Sequence, residues 1–208
     1  MNHSATNTVR LLWAGLRMLL VLTVVTGVLY PLAVTGITQA AFNDKANGSE
    51  IKSEGKVVGS ALIGQTWNLK GTDKPDPKWF QPRPSNSDYD PLVTGSSQLG
   101  ASDPKLYKMV DAAQKQVAAF NSVPGDEVLP SEVPRDAVTG SASAIDPHIS
   151  PEYADIQVKR VARSNNLDVA EVQKLVDDHT EGRTAGFLGE PHVNVLKLNI
   201  ALKELAKS

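Results

Sequence analysis

Hydrophobic and polar positions divide this chain into two unequal parts. From Met18 to Asn43 no side chain is charged, and most are apolar enough to enter lipid. A helix of about 20 residues crosses a hydrocarbon core of ~30 Å, so the run predicts one transmembrane helix over residues 18–42. Arg10 and Arg17 precede it, and no acidic residue occurs before Asp44. The positive-inside rule then sets residues 1–17 in the cytoplasm and residues 43–208 in an extracytoplasmic (periplasmic) domain, giving a single-pass protein of the plasma (inner) membrane. A cleaved secretory signal is the alternative, because Thr38-Gln39-Ala40 resembles a small-residue cleavage site. Against it, the apolar run exceeds a signal core of roughly 7 to 15 residues and contains Tyr30-Pro31 and Gly36, which favours a retained anchor. Thr23, Gly27, Tyr30 and Val34 recur at helical spacing, and Thr23 with Gly27 forms a small-xxx-small pair that lets a neighbouring helix come close. These four are the candidate partner-contact face, although glycine and threonine are common in membrane helices generally.

Beyond the anchor the pattern changes to short, punctuated segments. Lys56 to Trp67 reads as extended chain with bends, since Val57, Val58, Leu62, Ile63 and Trp67 lie among Gly55, Gly59 and Gly64. Lys70 to Ser102 is irregular, dense in Pro, Gly, Ser, Asn and Asp, and a long irregular stretch inside one domain is commonly functional. Asp103 followed by Pro104 starts a helix whose residues Leu106, Met109, Ala113, Val117 and Phe120 form a predicted core face. Asn121 to Pro134, with three prolines, is predicted to be a solvent-exposed, mobile connector. Ser150-Pro151 starts a second helix with Ala154, Val158, Val161 and Ala162 inward and Lys159, Arg160 and Arg163 toward water. Asp168 with Glu171 makes a capping-box-like start for a third, joined to the second at Asn165-Asn166. From Val193 onward the pattern fits helix or strand, and the helix-favouring run from Ala201 to Lys207 decides for helix. The fold class is therefore α+β: one N-terminal transmembrane helix followed by a mixed α+β extracytoplasmic domain.

Composition and charge narrow the function. With 208 residues, 41% of them hydrophobic and 21% charged, the chain has material for one ordinary folded domain. Lys and Arg number 21 against 23 Asp and Glu, so no basic field exists to hold nucleic acid. The part from Asp44 onward is mildly acidic, with 19 basic against 23 acidic residues. No cysteine is present, which removes disulfides, thiolate nucleophiles and sulfur-ligated zinc.

The sequence has neither G-x-x-x-x-G-K-[ST] nor D-K-T-G, so the chain has no phosphate-cradling loop or phosphorylated aspartate of its own. One span and no T-V-G-Y-G run leave it without an ion-conducting filter. Asp146-Pro147-His148, His179-Thr180-Glu181 and His192 offer metal-ligand atoms, yet none matches H-E-x-x-H or another motif of known geometry. Ser96, Ser97, Ser141 and Ser143 lie near glycines, but G-x-S-x-G is absent. No residue is assigned a catalytic or metal-binding role. Val93-Thr94-Gly95-Ser96 echoes Val138-Thr139-Gly140-Ser141, each a short way upstream of an Asp-Pro. They read as glycine-permitted turns, or as a pair of loops offering backbone amides to a ligand or partner. In that second reading Gly95, Ser96, Gln98, Asp146 and His148 are the candidate contact residues.

Several segments taken in order resemble the KdpC family, the C subunits of bacterial potassium-transporting P-type ATPase complexes. They are Thr26-Gly27-Val28-Leu29-Tyr30-Pro31-Leu32, Ala46-Asn47-Gly48-Ser49, Gly59-Ser60-Ala61-Leu62-Ile63-Gly64-Gln65 and Trp79-Phe80-Gln81-Pro82-Arg83-Pro84-Ser85. Ile145-Asp146-Pro147-His148-Ile149-Ser150-Pro151, His179-Thr180-Glu181-Gly182-Arg183 and Gly189-Glu190-Pro191 complete the match over nearly the whole chain. The chain departs from the family pattern at Thr94 to Gly100, and at Ala142 and Ala144, where the family has glycines. The resemblance implies a non-catalytic accessory subunit of an ATP-driven, high-affinity potassium import complex. Its partners would be a channel-like potassium-binding subunit, a P-type ATPase subunit and the lipid bilayer, with ATP and potassium handled by those subunits and no cofactor bound by this chain. It further implies a catalytic chaperone that assists assembly and raises the pump subunit's ATP-binding affinity. With nucleotide in the cytoplasm and nearly all of this chain outside, that effect has to be coupled through the membrane helix and partner contacts. A membrane-tethered ligand-binding module and a tethered hydrolase are the alternatives.

Overall fold

The computed structural model describes residues 3–207, so the first two residues of the predicted cytoplasmic segment and Ser208 lie outside the described residues. Residues up to Ser49 form one compact unit and Glu50–Ser208 another.

The first unit is a helix that begins earlier than its apolar run. Helix α1 (His3–Val24) passes through a five-residue π-helical turn, Val25–Leu29, into α2 (Tyr30–Ala41), followed by the single turn α3 (Asn43–Ala46). Residues Thr6–Ala41, 36 in all, are long and apolar enough to span a membrane. At 1.5 Å per residue they would measure about 54 Å, well beyond a hydrocarbon core of ~30 Å. The wide turn has a local cause in Pro31. A proline ring in a regular helix collides with the carbonyl four residues earlier, here Gly27, and an extra residue in the preceding turn relieves the clash. Tyr30 N–H accordingly reaches the Val25 carbonyl, five residues back. Where the helix stops, the amides of Gln39, Asn43 and Asn47 bond one another at 3.0–3.1 Å.

The second unit opens with a hairpin of β1 (Glu50–Ser53) and β2 (Lys56–Ser60), turned by Glu54 and Gly55 at φ 52° and 77°. Two successive left-handed residues match the right-handed twist of paired strands. Glu54 at the tip is gripped by Lys203 at 3.3 Å and Lys207 at 2.6 Å. The extended reading of residues 56–67 thus holds for β2, while turns and bends follow and β1 lies upstream of the predicted segment.

Helix α4 (Pro104–Asn121) starts as expected, with Asp103 accepting from Lys105 N at 2.8 Å. Its predicted core face is corrected: only Ala118 and Asn121 of this helix are buried, and Met109 is 46% exposed. Val110, Ala113 and Val117 pack partly against the core, because α4 meets the rest of the unit along the Pro130–Glu132 turn and α5 and covers it on one side. The connector 121–134 is also corrected, since it is not simply solvent-exposed. Val133 is buried, Val128 packs on the core and Ser122 Oγ accepts from Val128 N at 3.0 Å, so the segment closes one flank of the core.

Three helices and a small sheet make the centre. Helix α5 (Pro151–Asn165) is capped by Ser150 and ends on left-handed Asn166; α6 (Val169–Asp178) is capped by Asp168. Strands β3 (His148–Ile149), β4 (Thr180–Glu181) and β5 (His192–Asn194) form an antiparallel sheet in the order β3-β5-β4, with Val193 opposite both Ile149 and Thr180. The helix predicted from Val193 begins two residues later, as α7 (Val195–Leu205) capped by Asn194, which accepts from Lys197 N at 3.1 Å.

One prediction fails in an informative way: Arg160, expected to face water, is 3% exposed. Among the described residues no carboxylate pairs with it directly. Its Nε donates to Asn121 Oδ1 at 2.9 Å, Nη2 to Gln157 Oε1 at 2.8 Å, and Nη1 to the carbonyls of Trp79, at 3.1 Å, and Pro77. The guanidinium carbon also lies 4.5 Å from the centroid of the Phe120 ring. Burial depresses its pKa to about 10, which leaves it charged at neutral pH. Around this cation the irregular segment Trp79-Phe80-Gln81 runs through the core. Asn199 accepts from Phe80 N and donates to Phe80 O, both at 2.9 Å; Gln157 accepts from Gln81 N at 2.6 Å and donates to Gln81 O at 3.1 Å. Asn199→Leu keeps the volume but orphans both buried backbone groups of Phe80. Each orphaned group costs about 1–3 kcal/mol, so urea unfolding of the globular unit should show a loss of roughly 2–6 kcal/mol. A loss below about 1 kcal/mol would show that this clamp does not hold the segment.

Candidate functional site

Directly after the clamped segment the chain emerges as Pro82-Arg83-Pro84, where prolines restrict the backbone on both sides of one arginine. Arg83 Nη1 pairs with Asp146 Oδ2 at 3.2 Å, and its other nitrogens donate to the carbonyls of Thr139 and Gly140 at 3.3–3.4 Å. Two further ties bind the same loops. Ser85 Oγ donates to the Ala144 carbonyl at 2.7 Å and accepts from Tyr89 N at 3.0 Å, while Tyr89 OH donates to the Arg83 carbonyl at 2.5 Å. The tyrosine ring lies against Gly64: a Cβ there would sit 2.3 Å from Tyr89 Cε1 and 2.9 Å from the Asp146 carbonyl. Gly64 N also donates to the Ile145 carbonyl at 2.8 Å, so three distant segments meet around Asp146.

Asp146 is the hub. Its Oδ1 accepts from His148 N at 3.0 Å and faces His148 Nδ1 at 3.1 Å. Burial would raise its pKa, but the His148 hydrogen bonds, then the nearby charges of His148 and Arg83, together hold it below the ordinary aspartate value. The His148 ring meets His192 edge to face, with centroids 4.5 Å apart. His192 Nε2 lies 3.8 Å from Glu181 Oε2, and Glu181 takes a hydrogen bond from Lys197 at 2.9 Å that lowers its pKa. The result is a strip in which the paired rings of His148 and His192 lie between two ion pairs, Arg83 with Asp146 and Glu181 with Lys197, along the small sheet. Beside it lies a shallow depression of about 330 Å³ bordered by Arg135, Asp136 and Glu190. Leu62, 60% exposed, sits by Arg83 and Pro147 and adds an apolar edge.

Of the predicted loop residues, Asp146 and His148 come together here. Gly95 joins the neighbouring turn, donating its N–H to the Ser143 carbonyl at 3.1 Å, and Ser96 Oγ accepts from Gln98 N at 3.2 Å. The amides of Gly95 and Gln98 are thus bonded inside the protein. Arg83, Tyr89, Glu181, Lys197 and the ring pairing of His192 were not assigned to a site from the sequence. The Pro-Arg-Pro spacing was the one local sign that Arg83 is held rigidly. On the membrane helix, Thr23 and Gly27 lie together: a Cβ on Gly27 would meet only Thr23 Cγ2, at 4.0 Å. Tyr30 and Val34 follow the π-helical turn, which rotates them from where regular helical spacing would set them relative to Thr23.

Comparison with known proteins gives these features a family. The family model described as KdpC, K+-transporting ATPase, c chain, matches residues 12–204. A Streptomyces avermitilis protein named potassium-transporting ATPase KdpC subunit is 60% identical, over 99% of this chain and 98% of its own length. A protein of the same name from Streptomyces coelicolor is 56% identical, over 99% of this chain and 97% of its own length. One from Mycobacterium tuberculosis is 45% identical, over 94% of this chain and 99% of its own length. With the family model spanning nearly the whole sequence and relatives aligned end to end, the chain belongs to the KdpC family of K+-transporting ATPase c chains.

Proposed function

We propose that this chain is a non-catalytic accessory subunit of an ATP-driven, high-affinity potassium import complex. It assists assembly and raises the ATP-binding affinity of the pump subunit through partner contacts. The end-to-end kinship with proteins named potassium-transporting ATPase KdpC subunit carries this reading. A channel-like subunit binds potassium and a P-type ATPase subunit hydrolyses ATP, which agrees with a sequence that has no phosphate-binding loop and no D-K-T-G. The helix Thr6–Ala41 holds the chain in the inner membrane with its N-terminus in the cytoplasm, supported by Arg10 and Arg17 and by the lack of acids before Asp44. Partners contact the helix along Thr23, Gly27, Tyr30 and Val34. Outside the membrane, the loops carrying Gly95, Ser96, Gln98, Asp146 and His148 form a second contact region, supported by the charged strip they adjoin.

Three measurements test this. Protease added to intact spheroplasts should digest the globular unit, whereas protection, or a mature N-terminus near Ala41 by mass spectrometry, would reverse the topology or replace the anchor with a signal. Gly27→Leu should cut the recovery of large membrane subunits with the tagged chain about tenfold, a steric effect worth ~1.4 kcal/mol. Full recovery would remove Gly27 from the interface. Calorimetry of residues 44–208 with Mg-ATP should show no binding, while complexes carrying the full chain bind nucleotide more tightly than complexes lacking it. Saturable binding by the isolated domain, at the affinity of the complex, would falsify the coupled account in favour of direct ATP contact.

A further inference from the structure

Residues 182–191 form the loop from β4 to β5, and Glu181 and His192, opposite each other in the sheet register, make its neck. Above the neck Arg183 Nη2 pairs with Glu190 Oε2 at 2.6 Å. Thr184 N donates to the Leu188 carbonyl at 2.8 Å, and Leu188 N returns a bond to the Thr184 carbonyl at 3.0 Å. The turn closed in this way presents Phe187 and Leu188, 72% and 55% exposed.

Hydrogen-bond chemistry fixes where the ring protons of the two neighbouring histidines sit. His192 Nδ1 lies 3.0 Å from the Glu190 carbonyl, which can only accept, so Nδ1 carries the hydrogen of the neutral ring. Nε2 is then a bare lone pair, and it faces Glu181 Oε2 at 3.8 Å, acceptor toward acceptor and beyond hydrogen-bond reach. His148 is the reverse case. Its Nδ1 lies 3.1 Å from Asp146 Oδ1, so that carboxylate has its donor whether or not the ring is charged. Asp146 and Glu181 both have pKa values below the ordinary carboxylate range, which keeps both as acceptors.

We propose that His192 is a proton-operated clasp: a proton added at Nε2 gives Glu181 a charged donor across the neck and stiffens the loop that carries Phe187 and Leu188. Histidine is the side chain suited to this between about pH 5 and 8. Glu181 need not leave Lys197, which holds its other oxygen, Oε1, at 2.9 Å, so the carboxylate comes to bridge β5 and α7. The surrounding charges permit the extra proton. Glu181 on β4 faces the ring directly, with Lys197 of α7 behind it. His148 on β3 brings Asp146 and Arg83. Arg135, Asp136 and the Arg183–Glu190 pair border the same depression. These named groups are four carboxylates and four cations, so they set no net field against one added charge. Contact between the two imidazole rings sets the limit, because charge on one disfavours charge on the other and the pair takes up protons in coupled steps.

The test is an NMR titration of the full chain in detergent micelles, with histidine ring nitrogens and glutamate carboxyl carbons isotope-labelled. The chain has four histidines, and His192→Gln identifies the signals of His192. In the neutral ring Nδ1 should be the protonated nitrogen and Nε2 the bare one. As Nε2 gains its proton, the Glu181 carboxyl signal should shift with the same midpoint. Exchange of the Thr184 and Leu188 amides, taken relative to an unstructured peptide at each pH, should slow about threefold, the scale of a partly exposed ion pair. In Glu181→Gln the slowing should vanish while His192 still takes up its proton. The opposite neutral tautomer, a Glu181 signal indifferent to His192, amide exchange that stays flat through the titration, or equal slowing in Glu181→Gln would each overturn the clasp. All four outcomes leave the subunit reading untouched, since the clasp lies within this chain.

Discussion

A buried stretch of chain without regular secondary structure governs the globular unit. Trp79-Phe80-Gln81 passes between α5 and α7, where its backbone can neither reach water nor join a strand. An orphaned buried amide or carbonyl costs about 1–3 kcal/mol. Asn199 and Gln157 each close a two-way bond with one residue of the segment, and Arg160 takes up the carbonyls of Pro77 and Trp79. Side chains here do what a neighbouring strand does in a sheet. The clamp orders the rest: it fixes α5 against α7, and it sets the direction in which Pro82-Arg83-Pro84 leaves the core to meet Asp146.

The charged strip beyond that clamp has a different energetic character. Its members are partly exposed, and ion pairs in such positions contribute about 0–1 kcal/mol each. They add little to folding and are free to serve another surface. What holds them in order is neutral: the close approach of Gly64 to Tyr89, and the Ser85 and Tyr89 hydroxyls on loop carbonyls. The membrane helix shows the same attention to the backbone in another form, since the π-helical turn before Pro31 accommodates the proline ring with Tyr30 N–H on the Val25 carbonyl.

Much of this was legible in the sequence because it is local. The apolar run announced the membrane helix, and Asp103, Ser150 and Asp168 marked helix starts because a cap needs only residues within one turn. Family membership was readable from motifs such as Trp79 to Ser85. The burial of Arg160 was not, since a charged residue beside an apolar stripe looks solvated until a guanidinium-sized set of carbonyls is brought around it. The face of α4 was misjudged for a related reason: helical spacing tells which residues share a side, not how much of that side another element covers.

Sequence by itself determined the division into a membrane helix and an α+β unit, the helix caps, the absence of familiar catalytic motifs and the family, all of which depend on residue identity and short spacing. Tertiary structure alone decided that Arg83, Asp146, His148, His192, Glu181 and Lys197 form one strip, and that Asn199 and Gln157 serve the backbone of residues far away in the chain. The physical reason is one of range. Local signals act through bonds and single turns, whereas these contacts span up to 119 positions and exist only once the core has closed around Phe80.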